Sequence, residues 1–240
     1  MADSKIVLFD IPSNDNPPKA WSLNPWKIRL LLNYKKLDYT TEWLTYPEIK
    51  PRLRPHFPAD HPKFTIPTVK MPDGTYIMDS KFIAEALEKA YPEPSIHLNS
   101  PQQQPMLDHL SRAHNALQSI YQPGVYNNVL SEGSKEYFYR TRSEAAGMPL
   151  EEFEKQGKDG KPWDNAAPYF RKITQMLKEN EGPFFMGQTL SYTDLIYGGY
   201  LIFMRRIGEQ VFQRILEVSG DADVHLRLFD ATKPFAERND

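Results

Sequence analysis

The sequence predicts an α+β protein, in which a small domain of strands and helices precedes an all-helical domain. Apolar runs of strand length alternate with helical patterns over residues 1–94. The stretch 93–104, which contains the predicted linker 95–104, is rich in proline, serine and glutamine, as is typical of a linker. Over residues 105–240 the apolar positions follow helical spacing. We therefore expect two domains, joined by the segment 95–104.

The composition is that of an ordinary globular chain. Of 240 residues, 40% are apolar and 25% charged, and the net charge of −2 gives no reason to expect nucleic acid as a partner. The longest apolar helical run, residues 195–204, is half the ~20 residues that a bilayer requires, so no membrane partner is expected. Residues 1–5 lead into a strand without the apolar region of a signal peptide, which favours a cytoplasmic location.

The absence of cysteine limits the chemistry. It excludes disulfides, thiolate metal ligands and a cysteine nucleophile, and we expect no metal site. If the protein acts on a thiol, the ligand must supply that thiol.

The first half begins with a strand–helix–strand pattern. Residues 5–10 have the length and branching of a buried strand, and the β-prone residues 39–44 predict a second strand. A helix is predicted over residues 25–36, with Asn24 as its N-cap and a proline at its first position. Ser22 and Asn24 therefore lie at the positive end of a helix. Such a place suits an anion, for example a thiolate.

The segment 45–63 contains five prolines, and we expect a loop with at most a short helical turn. Most of its basic side chains are expected to be solvated, but one or two are candidates for binding a ligand carboxylate. These candidates are Lys50, Arg52, Arg54, His56, His61 and Lys63.

A β-hairpin is predicted over residues 64–78, where two short strands flank a Pro-Asp-Gly turn. Pro67 cannot donate to a strand ladder, so its N side must border a loop, an edge or a ligand. Asp79 and Ser80 then begin a helix that ends at Tyr91.

The second half is predicted to be helical. The predicted helices cover residues 106–121, 136–143, 149–156 and 163–179, with a loop at 157–162. Ser191 and Asp194 fit a capping box, in which Ser191 is the N-cap and a carboxylate closes the box. The helix that follows, over residues 193–207, is apolar nearly all round and should be central.

This order of elements, β-α-β-β-β-α followed by helices, resembles the glutathione transferase superfamily with its thioredoxin-like N-terminal domain. Three short motifs carry the resemblance across nearly the whole chain. Ile66-Pro67 resembles the cis-proline turn, and Asp79-Ser80 resembles the acidic-serine pair. Ser191 with Asp194 resembles the N-capping box of the second domain.

The start of the first helix is similar to the fungal etherase-related, serine-type branch of this superfamily. The similar positions are Trp21, Ser22, Asn24, Lys27 and residues 33–35, and residues 137–142 also resemble that branch. The branch typically reads Trp-Ser-Pro-Asn, whereas Leu23 stands here in place of the proline.

The resemblance implies glutathione as the co-substrate. Ser22 would donate a hydrogen bond to the glutathione sulfur and so stabilise the thiolate, with Asn24 as the second candidate. Ile66 would bind the cysteinyl part of glutathione through its backbone, in a direction set by cis-Pro67. Asp79 would bind the γ-glutamyl amino group, and Ser80 would bind its carboxylate.

The resemblance also implies that the thiolate attacks an apolar aromatic electrophile or aryl ether, in a detoxification role and as a homodimer. Aromatic residues in regions able to line the second site are Trp21, Trp26, Tyr121, Tyr126 and Tyr137. An alternative is a non-catalytic, ligandin-type carrier of aromatic or phenolic compounds, because Leu23 changes the loop that aims Ser22. A third reading is an interaction protein that has lost turnover.

Overall fold

The first half of the chain contains a four-stranded mixed sheet of β1 (Ile6–Asp10), β2 (Tyr39–Trp43), β3 (Thr68–Lys70) and β4 (Tyr76–Met78), in the order β2-β1-β3-β4. Strand β1 pairs in parallel with β2 and antiparallel with β3. Strand β4 pairs antiparallel with β3, as the predicted hairpin requires. The parallel pair is joined by a helix, since parallel strands need a crossover connection.

The structure is a computed structural model that describes residues 5–240. The expectation about the leading segment falls on residues 1–4 and lies outside the described residues. Within residues 5–240, no helix is both long enough and apolar enough to cross a membrane.

Helix α1 (Leu23–Tyr34) begins two residues earlier than predicted. Ser22 takes the N-cap position in extended conformation, with φ −72° and ψ 135°, so the prediction of Asn24 as the N-cap is wrong. Asn24 and Pro25 lie in the first turn instead. Backbone N–H groups of the first turn have no helical partner, so a proline is tolerated there as well as at the first position.

The prediction of a loop after β2 is wrong over helix α2 (Tyr46–Leu53), which a short 3₁₀ turn (Arg54–His56) follows. Glu48 closes a capping box, because its carboxylate accepts hydrogen bonds from the Thr45 N–H at 2.8 Å and hydroxyl at 2.6 Å. Pro47 lies at the start of the helix, where it costs no hydrogen bond.

The Ile66–Pro67 peptide bond is cis, as the resemblance implies. In the hairpin turn that follows, the Met71 N–H donates to the Thr75 carbonyl at 2.8 Å, and Gly74 has a φ of +90°. Helix α3 (Ser80–Ala90) begins as predicted, with Asp79 as its N-cap.

The second half is helical, as predicted, with more helices than the pattern indicates. The helices are α4 (Gln103–Ala116), α5 (Gln118–Asn128), α6 (Glu132–Ala146), α7 (Leu150–Gln156), α8 (Lys161–Leu177), α9 (Tyr192–Ile207), α10 (Glu209–Ser219) and α11 (Ala222–Thr232). The single helix predicted over residues 106–121 is two helices that meet at Leu117, and α10 and α11 follow the last predicted element. Helix α6 is also longer than predicted.

The capping box of α9 is confirmed and lies in the core. The Asp194 carboxylate accepts hydrogen bonds from the Ser191 N–H and hydroxyl, each at 2.7 Å, and from the Phe185 N–H at 2.8 Å. Helix α9 packs directly on α1, and a Cβ atom added to Gly199 would lie 3.3 Å from the Cβ of Trp26. The glycine therefore allows the helical half to approach the start of α1.

Candidate functional site

The candidate site begins at the N-terminal end of α1. The Ser22 side chain is half-buried and caps no backbone N–H of the helix. Its hydroxyl has no hydrogen-bond partner in the described part of the chain. A serine at this position normally binds an N–H of the first turn, so this hydroxyl is free to bind a ligand.

Asn24 and Lys27 occupy the next positions of the same helix end. The Lys27 Nζ donates to the Asn24 Oδ1 at 2.8 Å. Burial lowers the pKa of Lys27, and the Asp79 carboxylate opposes that shift. The start of α1 and the start of α3 are therefore close enough to interact electrostatically.

The start of α3 adjoins the cis-proline turn. The Asp79 N–H donates to the Pro67 carbonyl at 3.3 Å, and the Asp79 carboxylate accepts the Lys81 N–H at 2.9 Å. Asp79 has a φ of +77°, an uncommon conformation outside glycine, and Ile66 beside the turn is buried. The chain thus brings the predicted residues Ile66, Pro67, Asp79 and Ser80 together.

Helix α9 contributes a residue that the sequence did not predict. The Tyr192 hydroxyl donates to the Ser80 carbonyl at 3.1 Å, and burial raises the pKa of Tyr192. The one sequence signal for this residue is that Tyr192 directly follows Ser191, the N-cap of α9. The contact connects the helical half to the start of α3.

Aromatic side chains gather where α6 packs on α2. The rings of Tyr46 and Tyr137 stack at 5.5 Å, and Arg142 lies 4.7 Å from the Phe138 ring. Burial raises the pKa of Tyr46 to about 12, although Arg142 opposes the shift. Tyr121, also predicted from the sequence for the second site, lies near Tyr46 and stacks on His114 at 4.1 Å.

The other predicted pocket residues lie elsewhere. Trp21 and Trp26 are each 2% exposed, so they are core residues. Tyr126 packs on Tyr139 at 5.8 Å.

Among the basic candidates, Arg52 binds Glu42 at 2.6 Å and is therefore already paired. His56 stacks on the ring of Tyr76 at 3.9 Å.

A cavity of about 580 Å³ lies in the helical half, beside α5. It is lined by the 3₁₀ turn after α7 and by residues of α5, α8 and α10, among them Ile120, Asn127, Lys158, Trp163, Gln210 and Arg214. None of the predicted site residues lines it.

The fold agrees with the protein-family models that match the chain. The family model for the glutathione S-transferase C-terminal domain matches residues 104–235, and the model for the N-terminal domain matches residues 21–90. The chain therefore belongs to the glutathione S-transferase family, which confirms the superfamily and the fold predicted from the sequence.

Individual relatives match almost the entire chain. A glutathione S-transferase-like protein of Aspergillus flavus is 29% identical over 238 residues, which cover 90% of this chain and 86% of the relative. A glutathione S-transferase of Ceriporiopsis subvermispora, solved in complex with glutathione, is 30% identical; the match covers 96% of this chain and 97% of that one, with a TM-score of 0.82. A glutathione transferase of Phanerochaete chrysosporium is 25% identical with the same coverage and a TM-score of 0.83.

Proposed function

We propose that this protein activates the thiol of glutathione with the Ser22 hydroxyl and transfers the glutathionyl group to an apolar aromatic electrophile or aryl ether. The observation that carries this proposal is the unpartnered Ser22 hydroxyl at the N-cap of α1. Family membership makes the protein transferase-like, and the serine mechanism and the etherase-like specificity go beyond it.

Glutathione is the thiol that best fits the site, and the Ceriporiopsis relative was solved with it bound. Ile66 binds the cysteinyl backbone beside cis-Pro67. Asp79 binds the γ-glutamyl amino group, and Ser80 binds the γ-glutamyl carboxylate. The exposed cations Lys50, Arg54 and Lys63 are available for the glycine carboxylate.

The chemistry requires a thiolate, and a free thiol has a pKa near ~8.5. A hydrogen bond from Ser22 and the positive end of α1 both stabilise the charged form, so they lower the pKa of the bound thiol. The thiol proton leaves to water. The sulfur then forms a bond to the electrophilic carbon of an aryl ether, the carbon–oxygen bond breaks, and the phenolate leaves with the electron pair and takes a proton from water.

The second substrate is placed where α6 meets α2. Tyr46, Tyr121 and Tyr137 give aromatic surface there, and the residue Tyr137 is 38% exposed. Aromatic rings offer stacking to a phenolic or aryl substrate. This placement supports the etherase-related branch over one with a polar second substrate.

Glutathione affinity tests the binding part of the proposal. The change Asp79→Asn removes the charge but keeps a good N-cap residue that tolerates positive φ. We expect it to weaken glutathione binding about 10- to 100-fold, because a charged hydrogen bond contributes about 1.5–3 kcal/mol. Isothermal titration calorimetry measures the effect.

The matched control is Asp73→Asn in the hairpin turn. Asp73 likewise accepts a backbone N–H, that of Thr75 at 2.9 Å, but it lies outside the proposed site. The Asp73→Asn protein should bind glutathione with the affinity of wild type. Equal affinities in all three proteins would contradict the assignment of Asp79.

We also propose a homodimer, since members of the superfamily usually pair. Phe82 of α3 is 57% exposed, and a second copy would cover such a side chain. The domain boundaries at residues 94 and 105 and the cytoplasmic location expected from the sequence are likewise proposals.

A second candidate function is a carrier of aromatic or phenolic compounds. The observation in its favour is the cavity of about 580 Å³ beside α5. Its lining includes the Trp163 ring and the side chains of Ile120 and Val211, surfaces on which an aromatic compound can pack, while its cations Lys158 and Arg214 are paired with Glu154 and Glu217.

The fluorescent aromatic anion anilinonaphthalene sulfonate tests this carrier function. The change Gln210→Trp places a large side chain at the cavity wall, and we expect it to weaken binding of this probe at least about tenfold. Gln213→Trp, one turn further along α10 and outside the lining, is the control. If both variants bind the probe as wild type does, the cavity does not carry it.

A further inference from the structure

Lys27 has a contact that the proposed chemistry does not yet use. Its ammonium reaches back to the first turn of α1, where it donates to the Asn24 Oδ1 at 2.8 Å. In the described chain it has no carboxylate within salt-bridge distance, that is, within 4.0 Å. The positive end of a helix repels a cation, so the ammonium adds to a positive potential that is not neutralised locally.

The charged and titratable groups that face Lys27 are Asp79 and His114. Asp79 attracts the ammonium from the start of α3, but it is the residue assigned to the γ-glutamyl amino group. Burial, together with the charge of Lys27, lowers the pKa of His114 to about 4, so this imidazole is neutral at pH 7. With glutathione bound, the remaining charge at the helix end is therefore positive.

The contact also determines the orientation of the Asn24 amide. An ammonium has donors only, so the atom of Asn24 that faces Lys27 must be the oxygen. The NH₂ group consequently points away from Lys27, and within the described residues it has no acceptor. The start of α1 thus presents two unused donors, the Ser22 hydroxyl and the Asn24 NH₂.

We propose that Lys27 is a positioning residue for thiol activation: it orients the Asn24 amide so that its NH₂ donates to the glutathione sulfur beside the Ser22 hydroxyl. Its positive charge stabilises the same thiolate. The inference rests on the proposed function, because it requires the sulfur to lie at the start of α1. Ser22 and Asn24 are then joint donors rather than alternatives.

The pKa of the bound thiol measures this role directly. Thiolate absorbance in the ultraviolet is titrated against pH with glutathione bound to wild type, Lys27→Met, Lys27→Arg and Asn24→Ala. We expect the pKa to rise by about one unit in Lys27→Met and in Asn24→Ala, which is a tenfold loss of thiolate at a pH below the pKa. Lys27→Arg keeps a donor and a charge, and it should restore most of the wild-type value.

Two controls separate positioning from binding and from folding. S-methylglutathione has no ionisable thiol, so its affinity should be unchanged in Lys27→Met, and its binding also shows that the variant is folded. Lys19→Met removes an exposed positive charge from the loop before α1 and should leave the thiol pKa unchanged.

The outcomes distinguish this inference from the proposed function. An unchanged thiol pKa in Lys27→Met overturns the inference alone. An equal loss of affinity for glutathione and S-methylglutathione also overturns it, because Lys27 would then bind a ligand carboxylate. If wild type binds no glutathione, the proposed function fails and the inference fails with it.

Discussion

Replacing Arg29 with methionine is expected to lower the free energy of unfolding by about 3–5 kcal/mol. Arg29 on α1 and Asp10 at the end of β1 form an ion pair at 3.0 Å, and both side chains are fully buried. Methionine retains most of the volume of arginine but leaves the Asp10 carboxylate buried without its cation. Chemical denaturation of both proteins, monitored by circular dichroism, measures the difference.

The loss should be large because Arg29 holds more than one element. Its guanidinium also donates to the Thr41 hydroxyl at 3.1 Å and to the backbone carbonyl of Asp240 at 2.6 Å. It therefore ties α1 to β1, to β2 and to the segment after α11. Since α1 carries Ser22 at its start, the same contacts position the proposed site.

Two further variants test the cause of this loss. Asp10→Asn combined with Arg29→Met removes both charges and should recover part of the lost stability. Arg205→Met breaks an exposed pair with Glu209 and removes the guanidinium from the rings of Phe212 and Phe229, so it should cost only about 1 kcal/mol. A loss in Arg29→Met no larger than in Arg205→Met would show that the buried pair does not hold the fold together.

The second large effect is expected on catalysis, from removing the hydroxyl proposed to stabilise the glutathione thiolate. Ser22→Ala should lower kcat for glutathione conjugation about 10²-fold, the usual cost of removing one donor that stabilises a developing or full negative charge. Glutathione affinity should stay within about twofold, because the contacts proposed for Asp79, Ser80 and Ile66 with the rest of the ligand are unchanged in this variant. Steady-state rates with a panel of aryl electrophiles and β-aryl ethers measure the change.

Ser131→Ala is the matched control for this variant. Ser131 is the N-cap of α6. Like that of Ser22, its side chain binds no backbone N–H of its helix, although its hydroxyl contacts that of Ser134 at 3.5 Å. It should conjugate at the wild-type rate. An unchanged rate in Ser22→Ala would move the role to Asn24 or to the helix end alone, and a lost affinity would make Ser22 a binding residue.

Local sequence patterns predicted those elements whose ends are set by local chemistry. The sheet strands, the start of α3 at Asp79 and the Ser191–Asp194 box depend on residues a few positions apart, and the structure confirms them. The start of α1 was wrong because Ser22 and Asn24 are both good N-caps, and a first-turn proline does not decide between them. Helix α2 was missed because Pro47 falls where a helix tolerates proline and because the helix also accommodates Pro51 in its interior, which the proline rule disfavours.

The candidate site was predictable only in part, for a physical reason. The resemblance supplied Ser22, Ile66, Asp79 and Ser80, and the structure brings the last three of these together around Pro67. The contacts of Tyr192 with Ser80 and of His114 with Tyr121 depend on how helices pack, which no local pattern states. Lys27 gave one usable signal, because it lies three positions after Asn24 on the same helix face.

The central claim is that the starts of α1 and α3 form one glutathione site. A crystal structure of the glutathione complex tests it most directly. We expect the sulfur within hydrogen-bond distance of the Ser22 hydroxyl and the Asn24 amide, and the γ-glutamyl amino group on Asp79. Glutathione bound away from both helix ends, for example in the cavity beside Trp163, would contradict the claim.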